Sequence, residues 1–373
     1  DTLAAPRGGP IYFWDESTGL STRATLLSAE SGASDVPTNV IQVMTSDVDK
    51  HCIAFGCNPI GTAIIDPLLV RFSDRESAVD WTPTATNQAG GVQLSQGSEI
   101  IGALRTRQEI LIWTDVGIVS MRFVGEPFIF SFTEVAEGQS LIAPNAAVSA
   151  NNRVYFMDTG GFYVYSGSAE KLPCTVLDYV LSDLNLGQSF KIFAAVNNIA
   201  NEVMWFYPSG TNTEIDKYVL YNYLENVWSI GTTDDGFTRT AWDQASLLEY
   251  PIAASKNDSS NLNYVYNHEK GHGNDGSNFT AYIESSDFDL EPDGDKFTFI
   301  SKLIPDIQFR NQQSTSDSVT FTILGRDYPL QDLTTLQTIN VTPNSTFENT
   351  RARSRQAALK ISNSSSDYGW RAG

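Results

Sequence analysis

Ile110-Leu111-Ile112-Trp113-Thr114-Asp115-Val116-Gly117-Ile118-Val119-Ser120-Met121 can be laid on Val154-Tyr155-Phe156-Met157-Asp158-Thr159-Gly160-Gly161-Phe162-Tyr163-Val164. In each stretch an apolar run enters a turn at Asp-x-Gly and a second apolar run leaves it. The pattern reads as strand, turn, strand, because Asp and Gly accept the backbone a tight turn requires. The two aspartates stand 43 residues apart. A β-propeller blade repeats at about 40–45 residues, whereas helical solenoids carry a 3.6-residue apolar period.

Working outward, similar units recur. Apolar runs at Ile11–Trp14, Val40–Val43, Cys52–Phe55, Leu68–Phe72, Val203–Tyr207, Lys217–Tyr223, Ile252–Ser255 and Asn263–Tyr266 read as strands. The Lys256–Asn261 loop separates the last two. Taking the first strand of each hairpin, anchors fall at Phe13, Ala54, Trp113, Phe156, Trp205 and Ala254, with gaps of 41, 59, 43, 49 and 49 residues. Unequal gaps place insertions in particular loops of an irregular ring. Asp1–Pro10 reads as an irregular lead-in, and Thr84–Gly97 is a stretch rich in Gln, Gly and Ser. One helix is expected over Val176–Leu186, with Leu177, Val180, Leu181 and Leu184 on one face and Gly187 stopping it.

The texture changes near residue 283. Strand-like runs at Phe297–Ile300, Ser318–Leu324, Thr338–Thr342 and Ala357–Ser362 are separated by polar turns. The expected fold is all-β. An irregular β-propeller of about six blades occupies residues 1–282, and an antiparallel sandwich- or barrel-like domain occupies residues 283–373. The alternative, a last segment that returns to close the ring, stays open.

The chain has 373 residues, with 41% hydrophobic, 11% aromatic and only 18% charged residues, which suits strands and turns better than charged surface helices. Formal net charge is −20. Such a chain does not grip nucleic acid by counterion release, although it could line a passage through which nucleic acid slides without sticking. Cys52, Cys57 and Cys174 form neither a disulfide framework nor a zinc spacing, so reduced thiols are expected. No stretch reaches the roughly 18 apolar residues of a membrane span. Asp1–Pro10 lacks a signal-peptide core, and without an initiator Met the chain reads as an ordered portion or processed form.

Each motif with possible chemistry has a simpler reading beside it. Ser73–Trp81 has some features of an Asp-box but lacks the turn glycine, so Trp81 is expected to pack structurally. The acidic run Asp287-Phe288-Asp289-Leu290-Glu291-Pro292-Asp293-Gly294-Asp295 resembles the front of a calcium loop. Position twelve from Asp289 is Ile300 rather than the bidentate Glu, which favours a solvated acidic turn. His268 and His272 have metal-like spacing but sit among loop formers. Asp115 and Asp158 are the candidate carboxylates of a glycosidase, although Asp before Gly is ordinary turn chemistry. No catalytic, metal or cofactor site is expected. Arg351, Arg353 and Arg355 alternate, so one strand face would carry three guanidiniums, candidates for ion pairs with a neighbouring acidic subunit.

Several segments carry a family resemblance: Pro6-Arg7-Gly8-Gly9-Pro10-Ile11-Tyr12-Phe13-Trp14-Asp15, Asp66–Asp74, Asp80-Trp81-Thr82-Pro83, Thr106–Asp115, Gly160–Tyr163, Lys171-Leu172-Pro173-Cys174 and Arg351–Arg355. Together they resemble the tail hub or nozzle (stabilisation-type) structural proteins of short-tailed bacteriophages. The resemblance implies a non-enzymatic virion subunit, made in the host cytoplasm and assembled as a homo-oligomeric ring, expected as a hexamer. It implies portal and adaptor proteins as neighbours, tail fibres or spikes docked outside, and DNA passing through the channel without specific binding. The alternatives are a carbohydrate-active propeller, glycosidase or glycan-binding, and a secreted adhesin.

Overall fold

The apolar runs become strands of successive antiparallel sheets in a computed structural model of the chain, which describes residues 1–46, 49–233, 239–244, 247–255, 263–273, 278, 280–289, 296–311 and 314–372. Two compact units are present, Asp1–His268 and Glu269–Gly373. Residue 282, the expected boundary, lies in a strand of the second unit.

In the first unit the strands follow one another as meanders. The first sheet holds β1 (Thr2–Ala4), β2 (Tyr12–Trp14) and β3 (Thr25–Leu26). The second holds β4 (Val40–Thr45), β5 (Cys52–Cys57), β6 (Asp66–Phe72) and β7 (Gly90–Gln93). The third holds β8 (Ile100–Arg105), β9 (Ile110–Thr114), β10 (Gly117–Gly125) and β11 (Ile129–Glu137). The fourth holds β12 (Ala147–Ala150), β13 (Arg153–Asp158), β14 (Gly161–Tyr165) and β15 (Ala169–Lys171). After the helix α1 (Leu177–Asp183), the fifth sheet holds β16 (Phe193–Asn197), β17 (Glu202–Tyr207), β18 (Lys217–Asn222) and β19 (Val227–Thr232). The sixth holds β20 (Arg239–Asp243), β21 (Ile252–Ser255) and β22 (Val265–Asn267).

All six anchors lie in second strands: Phe13 in β2, Ala54 in β5, Trp113 in β9, Phe156 in β13, Trp205 in β17 and Ala254 in β21. The sequence places them in first strands; one further strand precedes each. In the first sheet that strand is β1, inside the stretch expected to be irregular, with Leu3 opposite Phe13. Strand β7 lies inside the Gln-, Gly- and Ser-rich stretch Thr84–Gly97, where no strand is expected.

Second strands read as unbroken apolar runs because both their faces are buried. Successive side chains alternate between faces, so each strand feeds two cores. Cys52 and Ala54 of β5 join Ile11 and Leu27, while Ile53 and Phe55 join Ile110 and Ile112 of β9. Leu111 and Trp113 of β9 turn the other way, onto Val154 and Phe156 of β13. Tyr155 and Met157 of β13 then meet Val203, Trp205 and Tyr207 of β17. Met204 and Phe206 of β17 face Trp242 of β20. Consecutive sheets therefore stack face to face.

The helix lies between the fourth and fifth sheets in sequence and adds Val180 and Leu184 to their shared core, with Leu177 and Leu181 packed against it. It ends at Asp183, because Leu184 is already extended (φ −66°, ψ 129°). Gly187 does not stop it; it falls in a following 3-10 segment, Leu186–Lys191.

The second unit holds β23 (Ala281–Glu284), β24 (Thr298–Leu303), β25 (Ile307–Arg310), β26 (Val319–Arg326), β27 (Thr334–Val341), β28 (Glu348–Ser354), β29 (Gln356–Asn363) and β30 (Gly369–Ala372). A four-stranded sheet runs β23-β29-β26-β27, and β24–β28 and β25–β30 form two ribbons. Val319, Phe321 and Ile323 alternate along β26 and share one core with Ala352 of β28, Ile307 of β25 and Trp370 of β30. The final strand pairs with β25, so the last segment stays within its own unit.

Candidate functional site

The first strand of each sheet has a sheet neighbour on one side only, which leaves backbone donors and acceptors on the other edge. These edges approach one another: β1 with β4, β4 with β8, β12 with β16, and β16 with β20. The Gln42 side chain clasps Ala103 of β8, donating to its carbonyl at 2.8 Å and accepting from its N–H at 2.7 Å. Ala194 of β16 donates to the Asn145 carbonyl at 2.8 Å. The Trp242 indole donates to the Val196 carbonyl at 2.9 Å.

Between these strands lies a cavity of about 320 Å3, lined by Gln42, Leu104, Trp113, Asn145, Phe193 and Thr240 among others. Among the described residues none of its lining side chains is ionisable. The cavity can enclose a neutral group, and those side chains offer no acid or base for proton transfer. This cavity is invisible in the sequence, because the convergence of the first strands is a property of topology.

The candidate carboxylates Asp115 and Asp158 serve two separate clasps. Asp115, just after β9, accepts from the Ser98 N–H at 2.7 Å and the Ser98 hydroxyl at 2.6 Å, just before β8. The Ser98 hydroxyl, then its N–H, hold the Asp115 carboxyl below its usual range. Asp158, at the end of β13, accepts from the Ser140 N–H at 3.4 Å, and from the Thr159 N–H at 2.6 Å. In the second sheet, Asn58 after β5 accepts from the N–H groups of Thr38 and Asn39, both at 2.9 Å. A polar residue following the second strand thus ties down the entry to the first in three consecutive sheets. Glycine completes the turn at Gly161, whose φ of +133° disfavours any side chain.

Trp81, beside the Asp-box-like segment, is buried, and its indole donates to the Ala78 carbonyl at 2.8 Å. The buried Arg71 guanidinium stitches this region, donating to the carbonyls of Asp35, Asn58 and Trp81 at 2.7, 3.3 and 3.3 Å. Burial lowers its pKa. The thiols of Cys52 and Cys57 are pushed up by burial to about 11 and about 12, and all three cysteines are unbonded.

The sequence-predicted arginines fall on β28 and its end. Arg351 and Arg353 share the exposed face of the strand, while Thr350, Ala352 and Ser354 are buried. Arg355 leaves that face, because it sits in the bend between β28 and β29. Arg353 lies 4.4 Å over the Phe297 ring, and Lys302 lies 4.2 Å over Phe347. Asp287 of the acidic run pairs with Arg326, and Asp289 accepts from Gln356 at 3.4 Å. The rest of that run, residues 290–295, lies outside the described residues, as do Lys256–Asn261. His268 accepts from Arg239 Nε at 2.8 Å, and burial, then the Arg239 charge, push its pKa down to about 4. His272 meets Asn311 at 3.2 Å. Among the described residues no three His, Cys, Asp or Glu side chains converge as metal ligands would.

No protein-family model matches the chain, and no curated protein matches it in sequence. Among solved structures, a Synechocystis apocarotenoid oxygenase mutant aligns at TM-score 0.36 and 8% identity, covering 71% of this chain and 64% of the oxygenase. The match thus spans less than two thirds of that enzyme. A glycoside hydrolase aligns at TM-score 0.28 and 8% identity, covering 88% of this chain and 95% of the hydrolase. The extracellular domain of what is called a one-component system from B. thetaiotaomicron aligns at TM-score 0.27 and 10% identity, covering 96% and 67%. Similarity at this level assigns neither chemistry nor partner.

Proposed function

We propose that the chain is a structural subunit of a short-tailed phage tail, a hub or nozzle protein. It is built as an irregular propeller of about six blades followed by a small antiparallel β-sandwich. The observation that supports this reading is the serial face-to-face stacking of meander sheets, whose first strands line one cavity with no ionisable group among the described residues. Such a frame supplies rigidity and loops rather than acid–base chemistry. The segments that resemble the phage family serve that frame: Arg7 donates to the Ile101 carbonyl at 3.0 Å, and Arg71 and Trp81 brace the second sheet.

A cavity of about 320 Å3 at the convergence of the first strands admits no duplex. Passage of a genome therefore requires a ring of several copies around a common hole, a hexamer in this reading. A charge of −20 per copy opposes adhesion of DNA to that hole. Arg351 and Arg353 supply outward cations for contacts with an acidic neighbour, portal and adaptor proteins adjoin the ring, and fibres or spikes dock outside. Quantitative mass spectrometry of purified virions tests this: the chain should be present at a fixed low copy number per particle. Its absence from particles that still eject their genome sinks the proposal.

A further inference from the structure

The β24–β28 ribbon of the second unit turns one face inward and leaves the other bare. Ile300 and Ala352 stand opposite each other and join the core of the unit. One step along, Phe299 and Arg353 stand opposite each other on the outer face, as alternation requires. Asn349, Arg351 and Arg353 alternate along β28 on that face, and the exposed Lys302 stands opposite Asn349. A phenylalanine flanks each end. Phe297, just before β24, has the Arg353 guanidinium 4.4 Å over its ring, and Phe347, just before β28, has the Lys302 ammonium 4.2 Å over its own.

Phe299 is 58% exposed, and Phe297 and Phe347 are 45% and 48% exposed, so one ribbon face offers three rings to contact. No carboxylate pairs with Lys302, Arg351 or Arg353 among the described residues. The face therefore carries three cations in a chain whose net charge is −20. The negative charge is unevenly divided. The unit Asp1–His268 holds 30 acidic and 14 basic side chains, whereas Glu269–Gly373 holds 14 and 10.

We propose, resting on the ring assembly above, that this ribbon face docks on the acidic first unit of the next copy of the chain. Two such faces do not pair with each other about a two-fold axis, since that sets three cations against three. The complement is a different, acidic surface, and the first unit of a neighbour supplies one at equal concentration. A contact between two different surfaces repeats head to tail and closes into a ring when its rotation allows. Phe and Arg suit the centre of such a contact, because rings bury large area and guanidiniums bond carboxylates in pairs. Arg353 and Lys302 are already held over rings, so less side-chain freedom is lost on docking. Aromatics among cations also stack single-stranded nucleic acid. Here two of the three rings already have a cation over them, and the charge of the whole chain opposes a polyanion.

Sedimentation velocity of the full chain over a concentration series reads the contact. Association should weaken about tenfold or more in Phe299→Ser and in Arg353→Glu. It should also weaken as salt is raised from about 0.05 to about 0.5 M. Both positions are exposed, so both variants should melt with the parent. Mixing Arg353→Glu chains with the parent separates head-to-tail docking from self-pairing. The variant keeps its first unit, so it should bind the parent's ribbon at parental affinity and terminate its assemblies. Exclusion of the variant from parental assemblies means that the ribbon pairs with itself, and overturns the proposal. So does unchanged association of both variants, or an oligothymidylate that binds the parent and is lost in the same variants. Virion composition is read separately. A chain absent from particles whose association still needs Phe299 sinks the tail reading alone. A chain present in particles whose association ignores Phe299 sinks this contact alone.

Discussion

Asp115 closes the entrance of its own sheet by accepting both the backbone N–H and the hydroxyl of Ser98, at 2.7 and 2.6 Å. The two residues stand at opposite ends of the β8–β9 hairpin. Their clasp makes Asp115 a structural acceptor rather than a free carboxylate. Asp115→Ala should lower stability by about 1 kcal/mol or less, since the group is exposed and the bonds are partly replaced by water. The folded-state pKa lies below the unfolded one, so the contribution is present above the ordinary carboxylate range and fades as pH falls through the folded value. Urea unfolding of parent and variant at neutral pH and near pH 2 checks this. A difference that persists at the acid end would contradict the clasp.

Trp113 and Trp205 occupy matching places in β9 and β17, both fully buried. The Trp205 indole donates to the Ala146 carbonyl at 3.1 Å, while the buried Trp113 indole nitrogen has no partner among the described residues. Replacing either by Phe removes similar volume. Trp205→Phe should cost about 0.5–1.5 kcal/mol more than Trp113→Phe, because it alone removes a hydrogen bond, although the Ala146 carbonyl keeps the Met157 N–H at 3.1 Å. Denaturant midpoints of the two variants measure the difference, and equal losses would refute the assignment.

His268 is packed 4.6 Å from the Trp242 ring and accepts from Arg239. Its folded pKa of about 4 lies below the ordinary 6.5. The unfolded chain therefore binds the extra proton first, so stability is full above about pH 6.5 and falls as pH drops toward 4. Partial exposure limits the loss to about 1–2 kcal/mol. Hydrogen-exchange protection factors of β20–β22, taken relative to the intrinsic amide rate at each pH, should fall across that window in the parent, and less so in His268→Gln. Unchanged protection factors between pH 7 and pH 4 in the parent would rule it out.

Arg351 faces outward from β28 with no side-chain partner among the described residues, while Arg353 rests on Phe297. Arg351→Glu should leave the melting temperature of the isolated chain within about half a kcal/mol equivalent, as for other exposed substitutions. It should shift sedimentation from assembled rings toward single copies. Unaltered assembly would remove β28 from the subunit interface.

Central strands were legible because burial on both faces writes them as unbroken apolar runs, as in Leu111-Ile112-Trp113 and Val203–Tyr207. Some of their neighbours, such as Val40–Val43 in β4 and Leu68–Phe72 in β6, were legible too, but the short or exposed ones were not. Strand β7 is mostly exposed and begins with two glycines, and β1 holds only three residues. The helix face was readable from its 3.6-residue period, but its end was not, since Leu184 breaks the helix without any special residue. Arg355 missed the expected face because the strand ends one residue earlier.

Single-particle electron microscopy of the purified, concentrated protein decides between a tail ring and a self-sufficient propeller. Closed rings of several copies around a hole wide enough for duplex DNA are the predicted result. Single copies alone, at every concentration and with no tendency to close, would contradict it.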